Sequence, residues 1–244
     1  MRASSFTSIA LAFLSFRLVA GHGALTQVKG ANGVNAAGFG IIASTPRTGS
    51  SPNPFEQDTS VIRDNAIKTG KTDVCGSTKA GGNNDVATQL AAAETAGLPS
   101  MDASGTVNMV LHQVNQDGAG PYTCEISTDG TGANFVKMDV TQNVPGFLSL
   151  STAKATDFNL VATAPAGTTC SGGSTGTACL VRCRNNALAG PFGGCVAVTD
   201  ASGGTTGTTA TTNSTVNAVT GGSAPAGKRP IKSRIVGRAL NYWV

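Results

Sequence analysis

The placement of six cysteines constrains this chain more than any other feature. Cys75, Cys124, Cys170, Cys179, Cys183 and Cys195 all follow an N-terminal stretch that reads as an export signal. That stretch opens with Arg2 and runs through an apolar segment from Ile9 to Val19, broken by Ser15 and Arg17. It ends on the small residues Ala20 and Gly21. A charged start, a short apolar run and a small-residue exit describe a signal peptide; a bilayer span needs roughly 20 apolar residues. A buried N-terminal helix is the competing reading, and it would have to supply a partner for Arg17. In an exported chain an even number of cysteines is a disulfide framework whose connectivity sequence leaves open. Cys179-x-x-x-Cys183 has the form of half a metal site, but no histidine lies near it, so disulfides are expected.

Cleavage there leaves a new N-terminus at or next to His22. The expected organisation is a signal peptide over residues 1–21, one domain over 22–198 and a tail over 199–244. From Thr199 to Gly227 the sequence is almost all Thr, Ser, Gly and Ala, which cannot bury apolar surface and is expected to be disordered. A Thr-rich secreted tail suits O-glycosylation, and the one N-x-S/T sequon, at Asn213, falls within it. Lys228-Arg229 reads either as a processing site, weakened by Pro230, or as the approach to an end, Ile235 to Val244, that docks on the domain. The formal charge of +4 is carried by the termini: residues 22–199 hold 10 basic and 12 acidic residues. A nucleic-acid binder concentrates basic residues on a folded face, so nucleic acid is excluded as a partner.

Within the domain, helix signals are few. Asp85 to Ala96 has an Asn/Asp cap, an Ala/Leu-rich middle and a Gly97/Pro99 stop; Asp58 to Lys68, closed by Gly70, is the second. Strand signals dominate. Thr106 to Val114 is β-rich and broadly alternating, Asp117-Gly118 marks a turn, and Tyr122 to Thr128 reads as the returning strand of a hairpin. Phe135 to Val140, Asp157 to Ala162, Cys179 to Cys183 and Cys195 to Val198 complete the set. Many short strands with Gly-rich spacers and no βαβ alternation predict a mainly β fold. The expected form is an immunoglobulin-like β-sandwich with a few short helices.

The mature chain contains two histidines, His22 and His112. An N-terminal histidine offers its α-amine and its ring Nδ1 as a chelate, and a second imidazole completes three nitrogens in a T. Copper(II) prefers such tetragonal nitrogen sites, and neither amine nor imidazole is hard to deprotonate near neutral pH. His22 and His112 are therefore the candidate metal ligands and copper the candidate cofactor. The plainer alternative is an ordinary strand histidine and a chance residue at a cleavage site.

Three segments carry a family resemblance: His22-Gly-Ala-Leu25, the run from His112-Gln-Val-Asn-Gln-Asp-Gly to Pro-Tyr-Thr-Cys124, and Gly190-Pro-Phe-Gly-Gly-Cys-Val-Ala-Val198. They resemble the appressorium- and haustorium-associated secreted virulence factors of powdery mildew and rice blast fungi, over roughly residues 22 to 198. More loosely they resemble lytic polysaccharide monooxygenases, which implies a sandwich, a histidine brace and an aromatic at the axial copper position. By that looser resemblance Phe192, three residues before Cys195, takes the axial place, and Cys195 pairs with Cys75. A core aromatic after a Gly-Pro turn is the equal alternative for Phe192. Copper-binding relatives without oxidative activity use an extra Asp, which makes Asp117 a candidate ligand, although its place in an Asp-Gly turn explains it structurally. Arg182, Arg184, Asn185 and Gln113 are candidates for supporting hydrogen bonds.

Against this, aromatics are scarce, no tryptophan precedes Trp243, and only Tyr122 offers itself as a flat polysaccharide-binding surface. No G-x-S-x-G elbow, phosphate loop, dinucleotide fingerprint or EF-hand occurs; Glu125 and Asp129 are a formally possible glycosidase pair. Two expectations stand. One is a secreted, extracellular or wall-associated monomer with a copper brace acting oxidatively on cell-wall polysaccharide. The other is a non-catalytic effector that binds wall glycans, copper or the host surface. Neither has a membrane span.

Overall fold

The computed structural model describes residues 22–201. The expected signal peptide, the Thr-rich tail with Asn213 and the basic C-terminal segment lie outside the described residues. In chain order the elements are strands β1 (Gly23–Lys29) and β2 (Asn35–Ala36), the single helical turn α1 (Pro52–Phe55), β3 (Ser60–Val61), α2 (Asp64–Lys68), β4 (Ser77–Thr78), β5 (Gly82–Asn83) and α3 (Val86–Ala96). Then come β6 (Thr106–Gln113), a 3-10 turn (Gln116–Gly118), β7 (Thr123–Ser127), β8 (Val136–Lys137), β9 (Asp139–Gln142), β10 (Thr156–Thr163), β11 (Ala178–Arg184) and β12 (Phe192–Thr199). Among the described residues no helix is long and apolar enough to cross a membrane.

The expected mainly β fold is what forms. The strands hydrogen-bond into one continuous sheet that folds over as two layers. One layer runs β1, β6, β10, β9, with β2 on the outer side of β1; the other runs β12, β11, β7, β8. β12 is the seam, meeting β1 in parallel at Ala24 opposite Gly193 and β11 antiparallel along its length. Between the layers Leu25, Met109, Leu111 and Leu160 face Ile126, Val181, Val196 and Val198. α3 lays Val86 and Leu90 on the outer side of β11 and β12, against Leu180 and Ala197. These two strands are thus covered on both faces, which is why they read as near-continuous apolar runs. The expected Cys75–Cys195 disulfide forms; Cys124–Cys183 and Cys170–Cys179 complete the set.

Local chemistry explains α3 well. The Asp85 carboxylate accepts from the Thr88 amide at 2.8 Å, and Gly97 ends the helix at φ 101°. Two other expectations are corrected. Asp58 to Lys68 is not one helix: Asp58 is buried, paired through both oxygens with Arg47, and Val61 bonds into the sheet opposite Phe192, leaving only Asp64–Lys68 helical. Nor is β7 the return arm of a hairpin with β6. It pairs with β11 and β8 in the other layer, where Cys124 sits in register with its disulfide partner Cys183.

Candidate functional site

His22 and His112 come together through strand register. On β1 and β6, Ala24 lies opposite His112 and Gly23 opposite Gln113, and the Val114 amide donates to the His22 carbonyl at 2.8 Å. Directly opposed residues share a face, and so do residues two apart on one strand. His22 and His112 are therefore diagonal neighbours on the same face, with Cβ atoms about 7 Å apart or less. Leu25 and Leu111 point the other way, into the core.

His112 is buried, 2% exposed, and its Nδ1 lies 2.7 Å from an oxygen of Asp157, directly opposite on β10. A carboxylate accepts, so Nδ1 carries the hydrogen. The ring Nε2 is buried with no hydrogen-bond partner. An orphaned imidazole nitrogen beside a carboxylate-oriented one is the arrangement of a metal-ligating histidine.

Asn115 and Glu56 both approach His22. Its main-chain nitrogen donates to Asn115 Oδ1 at 2.5 Å, and its Nδ1 lies 3.1 Å from Glu56 Oε1. Asn115 Nδ2 donates to the same Glu56 oxygen at 2.7 Å and to the Ser50 carbonyl at 3.2 Å. The main-chain nitrogen and Nδ1 of His22 therefore face one Asn–Glu pair. Glu56 is 1% exposed, and burial is the main force raising its pKa; the Asn115 hydrogen bond and Lys79 pull it back, while the Asp117 charge raises it further. Phe192 packs against the His22 ring, the two ring centroids 4.6 Å apart at 39°.

The turn that follows β6 packs tightly here. A Cβ on Gly118 would fall 2.1 Å from the His22 carbonyl oxygen, and one on Gly23 2.2 Å from the Tyr122 hydroxyl, so neither position takes a side chain. Asn185 stitches the turn to β12: its amide donates to the Asp117 and Ala119 carbonyls and its Oδ1 accepts from the Phe192 amide.

The structure thus gathers His22, His112, Phe192, Asp117 and Asn185 at one end of the strands, and adds Glu56, Asn115 and Asp157. Gln113 is turned to the opposite face, bonded to Ser151 and the Ala153 carbonyl. Arg182 and Arg184 serve ion pairs with Glu125 and Asp64. Tyr122, the expected binding aromatic, is 1% exposed, its hydroxyl spent on the Gly118 carbonyl. Among the described residues no cluster of three or more His, Cys, Asp or Glu side chains is placed to hold a metal ion. A depression of about 500 Å³ lined by Met101, Asp102, Pro165 and Thr168 lies at the other end of the strands, away from both histidines.

Residues 20–193, which include every group of this site, match a family described as Egh16-like virulence factor. The chain belongs to that family. Among its relatives, this Egh16-like protein is 45% identical over 195 residues to the appressoria-specific virulence factor GAS1 of Pyricularia oryzae, covering 78% of this chain and 76% of the relative. It is 35% identical to the appressoria-specific virulence factor GAS2 of the same fungus, covering 74% and 83%. No solved structure matches. Membership and three disulfides are consistent with secretion.

Proposed function

We propose that this Egh16-like protein, released with His22 as its first residue, holds one copper ion and uses it on a cell-wall polysaccharide. The donors are the His22 α-amine and Nδ1 and the His112 Nε2. The observation that carries the reading is the orphaned, buried Nε2 of His112, on the same sheet face as the His22 side chain.

Each neighbouring residue has a task in that arrangement. Asp157 fixes the His112 tautomer and ring orientation. Asn115 aims the main-chain nitrogen of His22. Phe192 has no donor atom and is buried, so it shields the site and keeps water off one side. Glu56 is the departure from a simple brace. Its carboxylate already lies against His22 Nδ1, so chelation displaces that contact and leaves a buried carboxylate alongside. Bound copper would supply oxidative chemistry, activating oxygen or peroxide against a glycosidic chain. The carboxylate favours a second reading, in which the same donors bind copper for storage or delivery without turnover.

The test is a copper(II) titration by calorimetry with parallel EPR, on protein secreted with an authentic His22 terminus and on a form extended by one glycine. Tight one-to-one binding with a three-nitrogen axial spectrum, lost on extension, supports the brace. Weak binding by the authentic form refutes it. Oxidised oligosaccharides from wall polymers then separate turnover from storage.

A further inference from the structure

The largest apolar exposures in the domain sit at the same end of the strands as the histidine pair. Phe147 is 78% exposed, Leu148 74%, Leu150 53% and Leu188 100%. Phe147 and Leu150 exchange both backbone hydrogen bonds around a two-residue turn, at 3.0 and 2.9 Å. Its central residues, Leu148 and Ser149, have φ of 50° and 64°. Turns of that kind normally take Asn and Gly, and a bulky residue there costs on the order of 1–2 kcal/mol. Leu148 regains none of this by burial. Positive-φ strain that gives the core nothing in return points to a task at the surface.

The turn is not loose. The Ser149 amide donates to the Gly120 carbonyl, the Ser151 amide to the Gln116 carbonyl, and the Ser149 hydroxyl accepts from the Asn186 amide at 3.0 Å. Asn186 belongs to the loop that carries Leu188, and its neighbour Asn185 bonds to the Asp117 and Ala119 carbonyls. The apolar tip and the Leu188 loop are therefore bolted to the turn that packs on His22. Residues 143–152 and 185–191 contain no charged side chain. Arg63, which reaches the second loop, spends its guanidinium on the Ala189 and Gly190 carbonyls.

We infer that this rim docks the protein onto a neutral β-1,4-linked polysaccharide, cellulose or chitin, whose ribbon faces present axial C–H groups. The inference rests on the polysaccharide reading above and names its substrate class. The rim suits that surface because it combines an aromatic ring and aliphatic side chains with exposed uncharged polar groups, Asn186 and Thr152. An anionic polymer would call for several cations, and the two loops between their strands carry one, Lys154. A second copy of the chain is disfavoured by size, since four side chains make a patch of a few hundred Å² where a stable protein interface takes about 800 Å² per partner.

The experiment is a pull-down of the secreted protein on microcrystalline cellulose and on chitin in EDTA, with polygalacturonate gel and phosphatidylcholine vesicles as other surfaces. Copper-free conditions make its outcome independent of the copper titration. Wild type partitions to cellulose or chitin, and Phe147→Ser with Leu188→Ser weakens this at least about tenfold, the loss of one stacked ring at about 1.4 kcal/mol. Val136→Ser, at an exposed valine on β8, leaves binding unchanged. All three positions are exposed, so thermal midpoints stay within a few degrees and misfolding does not mimic the result. Absence of binding to both polymers, equal binding by the double variant, or preferential rim-dependent binding to vesicles or polygalacturonate overturns the proposal.

Discussion

Asn115→Ala tests the seat of His22 directly. The substitution removes the donor to Glu56 Oε1 at 2.7 Å, the donor to the Ser50 carbonyl and the acceptor of the His22 nitrogen. A neutral hydrogen bond contributes about 1 kcal/mol net, and one to a charged group about 1.5–3. Leaving the buried Glu56 without its amide partner takes the larger cost, so the expected loss is about 3 kcal/mol. In a domain of this size that lowers the thermal midpoint by roughly 6–12 °C. The assay is urea denaturation of wild type, Asn115→Ala, Glu56→Gln and the double variant. Because the dominant cost comes from a stranded carboxylate, Asn115→Ala is expected to cost less once Glu56 is an amide, with a coupling of at least about 1 kcal/mol. A loss below about 0.5 kcal/mol, or equal losses in both backgrounds, would refute the claim that Asn115 and Glu56 act as one unit.

Two further perturbations address the frame around the site. Gly118→Ala puts a methyl 2.1 Å from the His22 carbonyl oxygen and 2.9 Å from the Gly23 nitrogen. Backbone cannot yield there without opening β1 from β6, so the expected loss is about 1–3 kcal/mol, read as a lower urea midpoint; an unchanged midpoint contradicts the close packing. Burial would raise the pKa of Glu94, but hydrogen bonds from the amides and hydroxyls of Ser174 and Thr175 bring it down to about 2. A depressed folded pKa contributes stability above the unfolded value, about 4.3, and loses it as pH falls through about 2. Glu94→Gln is therefore less stable than wild type at pH 6, with the gap closing by pH 2 in acid titrations monitored by circular dichroism. A gap that stays constant would refute the assignment.

What the sequence made legible is what local rules govern. The cap and stop of α3, the alternation of β6 and the apolar runs of β11 and β12 all follow from residue type and spacing. The partner of β7 does not. Asp117-Gly118 marks a bend, but the link from Val114 to Tyr122 is long enough to carry the chain across to the other layer, and alternation does not say which strand a strand will meet. The Cys124–Cys183 register settles it. Similarly, His22 and His112 stood out because the sequence has no other histidines, whereas Glu56 and Asp157 were invisible. They sit 34 and 45 residues from their histidines, and only the fold makes them neighbours. Tyr122, expected as a surface aromatic, is buried while Phe147 is exposed, for the same reason: neither aromatic carries a local signal of burial.

The shared face of the two histidines depends on an irregularity in β1. Leu25 and Val28 both enter the core, yet they are three residues apart, and a regular strand would send them to opposite faces. The register shift between Leu25 and Gln27 resolves this: Leu25 pairs with Leu111, Val28 with Met109, and Thr26 is the extra residue, its hydroxyl bonded to the Val110 carbonyl. Without the bulge, keeping Val28 in the core would turn Leu25 out and rotate His22 away from His112. With it, the far half of β1 satisfies the core while the near half holds His22 and Ala24 on the side of His112. Bulges beside functional sites commonly re-aim side chains in this way. Here the same inserted residue serves packing and the histidine pair at once, which ties the geometry of the candidate site to the stability of the sheet that carries it.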